Sequence, residues 1–383
     1  MIYDCVVVGA GPAGSSAAYQ LASRGFSVLL LEKEKLPRYK PCGGLVISRV
    51  TEWLDIDFTP AISVKVSRMR CCNEKPWGSN GDFELPRPVW MVHRAVFDHF
   101  LARHAVGRGA ELWQEFPVTD VIAVSDRWRV ISADRAVEAR YLIAADGAKG
   151  MLSRRLGFTA RLHQVAGALE AEIPDERSPE PVMHLRITNQ LTGYAWNFAK
   201  ADSHSIGIGT WKKDRPSLRA ELEKYCASFG LAISQGRLCG HPLLLWAGVQ
   251  RVHTERALLA GEAACMVDPF NGEGIRFAMI SGVMAAESIA RALHGDTGAL
   301  ENYSERLQRE IGREMSLAGA MARRFYAPAG DHSAPRGQNP LYAELFSRLV
   351  CGDISYQKFF MASAFLNVLN PLRWEPANPY LTL

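Results

Sequence analysis

Three kinds of sequence feature are missing from this 383-residue chain, and each absence excludes a class of protein. None of the eight cysteines belongs to a Cys-x-x-Cys pair, so neither zinc nor an iron–sulfur cluster is predicted, and no metal is expected. No apolar run approaches the roughly 18 residues of a membrane span. The net charge is only +4, without a long block of Lys or Arg, which disfavours nucleic acid as a partner.

The composition that is present is typical of a globular protein, with 48% apolar and 22% charged residues. The length allows two or three domains, at roughly 100–200 residues per domain. No signal peptide precedes the first predicted strand, which begins almost at Met1, so we expect reduced thiols and a cytoplasmic protein. The sequence also allows such a cytoplasmic protein to attach to the surface of a membrane.

A nucleotide-binding turn is predicted near the N-terminus, where "YDCVVVGAGPAGSSAAYQLASRGFSVLLLEKE" indicates a strand, a glycine turn, a helix and a second strand. Gly9 permits the tight turn, Gly11 lets the backbone approach a pyrophosphate, and Gly14 lets the helix pack close to the strand. Pro12 and Ala13 open the helix, whose free N–H groups and partial positive charge favour phosphate. The pattern predicts dinucleotide binding.

The second predicted strand ends in Glu32, which Lys33 follows. An acid at this distance from the glycine turn can accept a hydrogen bond from a ribose hydroxyl, and we expect Lys33 to lie beside the same cofactor. A carboxylate here disfavours a 2′-phosphate, but it does not distinguish NAD from FAD.

Two later turns favour FAD. Each follows a predicted strand, in "YLIAADGAKGMLSRRLG" and in "RALLAGEAACMVDPFNGEGIRFAM", and the second opens a long amphipathic helix. That helix start is a second place where backbone N–H groups can meet an anion or an electron-rich ring edge, as the two distant ends of an extended FAD require. The residues of these turns that we expect to bind the cofactor are Asp146, Gly147, Glu262, Gly272, Gly274 and Ile275.

These motifs give the chain its resemblance to a known family. It resembles the FAD-dependent geranylgeranyl reductases, within the group that has the p-hydroxybenzoate hydroxylase fold, through the glycine turn, "KPCGG", "HRAVFDHFLA", the Asp-Gly turn and "GEAACMVDPFNGEGI". The matching pieces span residues 1 to about 290, and "PCGG" together with "VDPFNGEGI" is the narrowest of them. One departure is Glu262, because the family usually has Gly-Asp at this turn, and we expect a slight shift of the flavin there.

The resemblance implies further cofactor contacts. Arg94 matches the arginine that reaches the diphosphate side of the flavin cofactor, and Val118 falls on the strand whose backbone passes the adenine. The alternative for Arg94 is an ion pair with Asp98 one helical turn later. Lys40 and Arg38 either contact phosphate or are solvated.

The middle of the chain predicts an antiparallel sheet, because residues 162–173, 181–188, 192–199 and 203–210 alternate between apolar and polar. A helix is expected over about 216–229. The predicted fold is therefore α/β, of mixed α+β character: a Rossmann-like FAD-binding domain with a parallel sheet, a discontinuous antiparallel-sheet substrate domain and a helical C-terminal cap. The predicted boundaries are 1–62, 91–157 and 252–325 for the FAD-binding domain, 63–90 and 158–251 for the substrate domain, and 326–383 for the helical region.

The stretch "GYAWNFAKADSHSIGIG" contains the predicted substrate residues. Tyr194, Trp196 and Phe198 alternate and so share one face of a strand, while Gly207 and Gly209 leave space on the next strand. The pattern fits either an aromatic core stripe or an apolar slot. The resemblance favours the slot, since the family lines an isoprenoid pocket with an aromatic–x–Trp–x–Phe–Pro segment followed by Gly-x-Gly; here Ala replaces the proline.

The aromatic-rich C-terminal 40 or so residues, as in "YQKFFMASAFLNVLNPLRW", predict a helical cap on the core. The alternative is a partly exposed face that touches membrane lipid.

Cys42 is the candidate catalytic residue. It lies in the loop after the second strand, and Gly43 beside it allows close backbone approach to a flavin ring. A free thiol has a pKa of about 8.5 and is mostly protonated at neutral pH, which suits a proton donor. The alternative is that Cys42 only packs in the flavin pocket.

The predicted activity is hydride transfer from reduced FAD to a carbon–carbon double bond of an isoprenoid, geranylgeranyl-like or related lipophilic small molecule. NADPH and ferredoxin are equally allowed as external electron donors, so a redox donor protein is a candidate partner. One alternative is a flavin-dependent monooxygenase or halogenase of the same fold, because halogenases carry a similar Trp-x-Trp-x-Ile-Pro segment. Another is an electron carrier to a quinone pool.

Overall fold

The structure, a computed structural model, describes residues 1–73, 80–158, 163–177, 179–187, 192–211, 217–326 and 340–369. Its β-strands are β1 (Ile2–Val8), β2 (Val28–Leu31), β3 (Leu45–Ile47), β4 (Val64–Asn73), β5 (Gly81–Met91), β6 (Glu111–Trp113), β7 (Asp120–Val124), β8 (Arg127–Ile131), β9 (Ala136–Ala144), β10 (His163–Pro174), β11 (Val182–Ile187), β12 (Gly193–Ala199), β13 (Ser203–Thr210), β14 (Arg237–Trp246) and β15 (Ala257–Leu259). Its α-helices are α1 (Pro12–Ala22), α2 (Arg94–Gly107), α3 (Leu152–Arg155), α4 (Leu218–Ala227), α5 (Ile275–Leu293), α6 (Ala299–Leu307), α7 (Arg313–Phe325), α8 (Pro340–Val350) and α9 (Tyr356–Leu369).

The first sheet has the strand order β6-β2-β1-β9-β8-β7, and β15 pairs with β9. The pairs β6–β2, β2–β1, β1–β9 and β9–β15 are parallel, whereas β7 and β8 form an antiparallel hairpin on β9. The apolar runs of β1 and β2 are buried along most of their length, as strands covered on both faces require. Helices α1 and α5 pack together so closely that a Cβ at Gly282 would lie 2.2 Å from the Ala13 carbonyl oxygen.

The second sheet has the order β14-β10-β13-β12-β11-β4-β5-β3 and is antiparallel except for the parallel pair β11–β4. Helix α4 covers one face of it through Leu222, Tyr225 and Cys226. The opposite face of β10, β12 and β13 turns toward the first sheet and forms one wall of a large cavity. The sheet is thus a roof over the carboxyl ends of the parallel strands.

Helices α7 and α8 close the far side of that cavity, and α9 packs behind them. Helix α8 packs on β5, and α9 packs on α7 and α8. The Tyr356 hydroxyl at the start of α9 donates to the buried Asp268 carboxylate at 2.8 Å, which ties the cap to the loop before α5. Within the described parts of the chain, every helix is too short or too polar to cross a membrane.

The predicted fold class is confirmed: a parallel nucleotide-binding sheet, a second antiparallel sheet built from two separate chain segments, and a helical cap over residues 340–369. The remainder of the predicted 326–383 segment, apart from Tyr326, lies outside the described residues. The domain boundaries stay a prediction. Strand β3 lies within the predicted 1–62 segment, yet it pairs with β5 in the second sheet.

Candidate active site

A single continuous cavity of about 990 Å³ runs between the two sheets, a volume at the upper end for a small-molecule site. Its first end is bounded by the glycine turn and β2, and its second end by β12, β13 and the cap helices. The loop that contains Cys42 lies between these ends. The cavity therefore joins the predicted nucleotide site to the predicted substrate site.

The glycine turn is shaped to receive a phosphate. Gly9 has a φ of +106°, and a Cβ on it would lie 2.3 Å from the Ala145 carbonyl oxygen. A Cβ on Gly14 would lie 1.9 Å from the Gly9 oxygen, so this glycine serves helix packing and does not line the cavity. A Cβ on Gly11 would meet only Arg38, at 4.0 Å, and Gly11 lines the cavity. The open space at Gly11, before an α1 terminus that no side chain caps, fits a diphosphate.

A buried ion network supports this end. Glu32 accepts from the Ala10 amide at 3.1 Å and from Arg38 at 3.3 Å, so its carboxylate is held at the turn where a ribose is expected. Arg38 also bonds Asp98 at 2.8 Å, and its side chain is only 9% exposed, which contradicts the solvated alternative for this residue. Arg94 makes two 2.8 Å bonds to Asp98, which is the ion pair named above as the alternative.

Despite burial, Arg94 and Arg38 together hold the pKa of Asp98 below its usual value. The ion pair does not remove Arg94 from the site, because its side chain also lines the cavity. Its contact with the cofactor diphosphate remains a prediction.

Other predicted cofactor residues line the same end. Gly147 and Val118 border the cavity, and Lys33 lies at its edge with a 67% exposed side chain. Asp146 borders the cavity too, and its carboxylate accepts from the Leu152 amide at 2.9 Å at the start of α3. This carboxylate is therefore held at the cavity by the turn that follows it.

The middle of the cavity contains a second helix terminus. Helix α5 begins after Gly274 without a side-chain cap, and Gly272, Gly274 and Ile275 all border the cavity. Its first turn has no acidic residue, so the partial positive charge faces the space directly. The two uncapped helix starts, of α1 and α5, match the two anionic or electron-rich regions of an extended FAD.

Lys40 and Glu262 face each other across this middle region, with His241 between them. Lys40 Nζ lies 3.2 Å from His241 Nε2, and His241 Nε2 lies 3.7 Å from a Glu262 carboxylate oxygen. Burial lowers the pKa of Lys40, whereas the His241 hydrogen bond and Lys40 lower that of Glu262 against its burial. Lys40 therefore borders the cavity, and its contact with phosphate stays a prediction; Glu262 borders the cavity too, although it replaces the family's usual Asp.

The loop with Cys42 touches the substrate wall. A Cβ on Gly43 would lie 2.8 Å from the Phe198 ring and 3.2 Å from Trp196 Nε1, so only a glycine fits between the loop and these rings. The Gly44 amide donates to the Cys42 thiol at 3.4 Å, and the Arg94 guanidinium also contacts that thiol. The Cys42 amide in turn donates to Glu170 at 3.1 Å.

Tyr194, Trp196 and Phe198 share one face of β12 and border the cavity, as the alternation predicted. Gly207 was predicted to leave open space in the substrate site, and this prediction is wrong. Gly207 pairs with Trp196 in the sheet, and a Cβ there would lie 2.1 Å from the indole, so the indole itself covers this glycine. Gly207 accommodates Trp196 and does not line the cavity, whereas Gly209 does.

The second end of the cavity is almost entirely apolar. Phe325 and Tyr326 at the end of α7 and Phe346 and Val350 of α8 close it opposite the aromatic strand. The Trp196 indole N–H is buried and has no acceptor among the described protein atoms, so an acceptor on a bound molecule would satisfy it. This end is suited to a lipophilic ligand.

Sequence reasoning missed Glu170, which lines the cavity beside Cys42 and is only 4% exposed. A signal was present: Glu170 and Glu172 alternate with Leu169, Ala171 and Ile173, so two acids share the face of β10 opposite its apolar face. In the formed sheet Glu170 on that face borders the cavity, and a buried acid of this kind needs polar partners.

The glycine turn, the two helix starts and the cavity between the sheets define an FAD-dependent oxidoreductase. The model of the family described as FAD binding domain matches residues 3–213, more than half of the chain, and the chain belongs to this family. A digeranylgeranylglycerophospholipid reductase of Methanopyrus kandleri is 31% identical over 81% of this chain and 87% of its own. A menaquinone reductase of Mycolicibacterium smegmatis is 31% identical over 83% of both chains.

Solved structures agree on the fold. A geranylgeranyl bacteriochlorophyll reductase-like protein of Thermoplasma acidophilum has a TM-score of 0.75 at 23% identity, covering 85% of this chain and 88% of its own. A flavin-dependent brominase has a TM-score of 0.73 at 21% identity over 96% of this chain and 99% of its own. The resemblance to geranylgeranyl reductases is thus confirmed, and the fold alone is shared with halogenases.

Proposed function

We propose that this protein reduces carbon–carbon double bonds of a polyprenyl chain, using hydride that FAD supplies when it is bound and reduced. The relatives at about 30% identity are named for reduction of a digeranylgeranyl glycerophospholipid and of menaquinone, and both of those molecules carry isoprenoid chains. The two named substrates have the isoprenoid chain in common but differ in their head groups. The proposal therefore specifies a polyprenyl group and no particular head group.

The observation that carries this proposal is the contact between the Cys42 loop and the aromatic strand. Gly43 packs against Phe198 and Trp196, so a thiol and an apolar wall border the same part of the cavity. A lipid chain along that wall would be brought to the thiol and to the start of α5, where the flavin ring is expected.

In this proposal the side chains position the polyprenyl chain, shield it from water and protonate its double bond. Tyr194, Trp196 and Phe198 orient the chain, and the cap residues Phe346 and Val350 exclude water from it. Cys42 gives its proton to one alkene carbon as hydride reaches the neighbouring carbon. The thiol then needs a new proton before the next turnover.

The test is anaerobic turnover of the FAD-loaded protein with a polyprenyl lipid, after chemical reduction of the flavin. We expect the flavin to reoxidise and the lipid to gain two hydrogens for each reduced double bond, measured by mass spectrometry. Reoxidation only after oxygen is admitted, with oxygen consumed in proportion to product, would instead identify a monooxygenase or halogenase. Reoxidation by a quinone that keeps its alkene bonds would identify the electron carrier.

The electron donor is proposed as external, because the described residues form one nucleotide cavity. NADPH and reduced ferredoxin are compared by anaerobic flavin bleaching under matched conditions. Bleaching by one and not the other identifies the donor.

We also propose peripheral contact with a membrane through the cap. Helix α9 exposes Met361 (66%) and Phe365 (64%) one helical turn apart, and Leu341 of α8 is 51% exposed. Tyr342 of α8 bonds the Ser363 carbonyl of α9 at 3.0 Å, so these side chains belong to the cap that closes the cavity. Co-sedimentation with lipid vesicles is expected for the wild type and should fall in M361E/F365E; equal sedimentation of both would exclude this face.

A further inference from the structure

A line of acid and base side chains leads from the cavity wall to the protein surface. It begins at Glu170, whose Oε1 accepts from the Cys42 amide at 3.1 Å. Lys200, only 2% exposed, lies next, with its side chain alongside Gly44. Its ammonium donates to Glu172 at 3.0 Å. Glu170 and Lys200 are buried, whereas the Glu172 and His93 side chains farther along the line are 23% and 26% exposed.

The outer part of the line is connected by hydrogen bonds. His93 Nδ1 lies 3.2 Å from the Glu172 carboxylate, and His93 Nε2 lies 2.8 Å from Asp202. The Asp202 side chain is 71% exposed, so the line ends in solvent. Its members come from three different parts of the chain, β10, the turn between β12 and β13, and the residue before α2, so this polar track through the roof is a feature of the fold rather than of one strand.

The two glutamates of β10 are in different electrostatic states. Burial raises the pKa of Glu170 to about 7, although Lys200 and the Cys42 amide oppose this rise. The His93 hydrogen bond, together with Lys200, lowers the pKa of Glu172 to about 2. The charged or titratable groups around Glu170 are Lys200, Glu172, Tyr39, Cys42 and Cys239, which is paired with Glu170 on β14. Glu170 can therefore hold and release a proton near neutral pH, while Glu172 stays ionised.

We propose that Glu170 stores the proton consumed by alkene reduction and that Lys200, Glu172 and His93 resupply it from solvent. This rests on the proposed function. In the reduction, hydride moves to one alkene carbon and the Cys42 proton to its neighbour, so the alkene gains two electrons and two hydrogens. The Glu170 carboxyl then returns a proton to the thiolate, directly or through one water, and becomes a carboxylate. The track reprotonates it, so no further oxidant or reductant is needed.

The first experiment does not depend on any substrate. Infrared difference spectra of the FAD-loaded full chain, titrated through neutral pH, should show a protonated carboxyl band that disappears with a midpoint near pH 7. The band should be missing in Glu170→Gln and kept in Asp175→Asn. Asp175 follows the same strand and also bonds a histidine, His204, at 3.1 Å, but it does not line the cavity. An unchanged titration in Glu170→Gln would overturn the assignment of the stored proton.

The second experiment separates storage from resupply. With excess chemical reductant and a polyprenyl lipid, Glu170→Gln should leave the first flavin reoxidation fast, because Cys42 starts protonated, slow the later turnovers about a hundredfold, the usual scale of general acid catalysis, and abolish their pH dependence near pH 7. Glu172→Gln should also keep fast the turnover that uses the proton stored on Glu170, and slow only the later turnovers, because the stored proton is then not replaced. Asp175→Asn should match the wild type in both.

The outcomes distinguish the two proposals. Equal rates and equal pH profiles for Glu170→Gln and wild type would overturn the storage role, and a fast steady state in Glu172→Gln would overturn the track. If the wild type reduces no polyprenyl alkene, the proposed function fails, whereas the infrared titration still decides whether Glu170 holds a proton at neutral pH.

Discussion

The two ends of the cavity are built in different ways. The nucleotide end presents backbone amides, the start of α1 and a buried ion network around Asp98, and the start of α5 faces the middle of the cavity. The substrate end uses aromatic and aliphatic side chains from β12, α7 and α8. The first surface is set by the path of the backbone, so it needs glycine at fixed places. The second is set by packing between segments far apart in the chain.

This difference explains which changes should be severe. Backbone N–H groups recognise phosphate at close range. If a new side chain keeps the phosphate away from them, no other side chain can replace these contacts. An apolar wall shares its contact among many side chains, so one replacement removes only part of the surface. The nucleotide end should therefore lose its ligand completely after a single change, and the substrate end should lose it in steps.

The largest effect is expected for Gly11→Val. A Cβ there would meet no protein atom closer than the Arg38 guanidinium at 4.0 Å, so the protein should fold and lack FAD, seen as missing flavin absorption. The control is Gly107→Val at the end of α2, where a Cβ also meets open space. Full flavin content in Gly11→Val would show that the diphosphate lies elsewhere.

The next largest effect is expected for Cys42→Ala, at the junction of the two ends. Flavin reduction by the external donor should continue, and reoxidation by the alkene should slow about a hundredfold. Cys42→Ser should retain part of the rate, because a hydroxyl can relay a proton, and Cys72→Ala, at an exposed thiol, should match the wild type. Stopped-flow traces of the two half-reactions measure this; equal reoxidation in Cys42→Ala would reduce the thiol to packing.

The same contrast decides what could be read from the sequence. The glycine turn and Glu32 lie within one βαβ unit, so their spacing carries their geometry. The strands predicted at 192–199 and 203–210 are Gly193–Ala199 and Ser203–Thr210, because alternation along a single strand is a local signal. Only the register of the formed sheet places Trp196 on Gly207 and turns a predicted cavity residue into the support of an indole.

The buried charges were less predictable, because each depends on a partner distant in sequence. Glu170 meets the Cys42 amide across 128 positions, and Lys40 meets His241 across 201. The sequence allowed Arg38 either to contact phosphate or to be solvated. Only its enclosure by Glu32 and Asp98 in the structure excludes the solvated alternative. Patterns of period and spacing carry no information about such long-range pairs.

A smaller effect tests the substrate end. In Gly207→Ala the methyl group would overlap the Trp196 ring, at 2.1 Å, and displacing the ring should cost about 1–3 kcal/mol of folding free energy. Substrate affinity should fall while FAD content stays normal. In Gly209→Ala, on the same strand, the added Cβ would lie at an ordinary 3.7 Å from that ring, and we expect wild-type melting. Equal effects of the two changes would show that the indole does not define the wall.

The smallest effect is expected at Tyr356, where the cap is joined to the loop before α5 that contains Asp268. Burial raises the pKa of Asp268 from 3.8 to about 6, against the hydrogen bonds that it accepts from the Phe270 amide and from Tyr356. Because this pKa is raised in the folded state, the stability that the protonated carboxyl contributes is complete below the usual value and is lost as the pH rises through about 6.

Tyr356→Phe should lower the free energy of unfolding by about 1 kcal/mol, and by more above pH 6 than below it, because the ionised Asp268 then loses a hydroxyl donor in a buried site. Tyr342→Phe is the matched control: it also removes a hydroxyl from the cap, but its acceptor is the neutral Ser363 carbonyl, so its loss should not vary with pH. Denaturant unfolding of the FAD-loaded proteins on both sides of pH 6 measures both. A pH-independent loss in Tyr356→Phe would mean that Asp268 keeps one charge state throughout, and the cap would then be joined to the cofactor loop by packing alone.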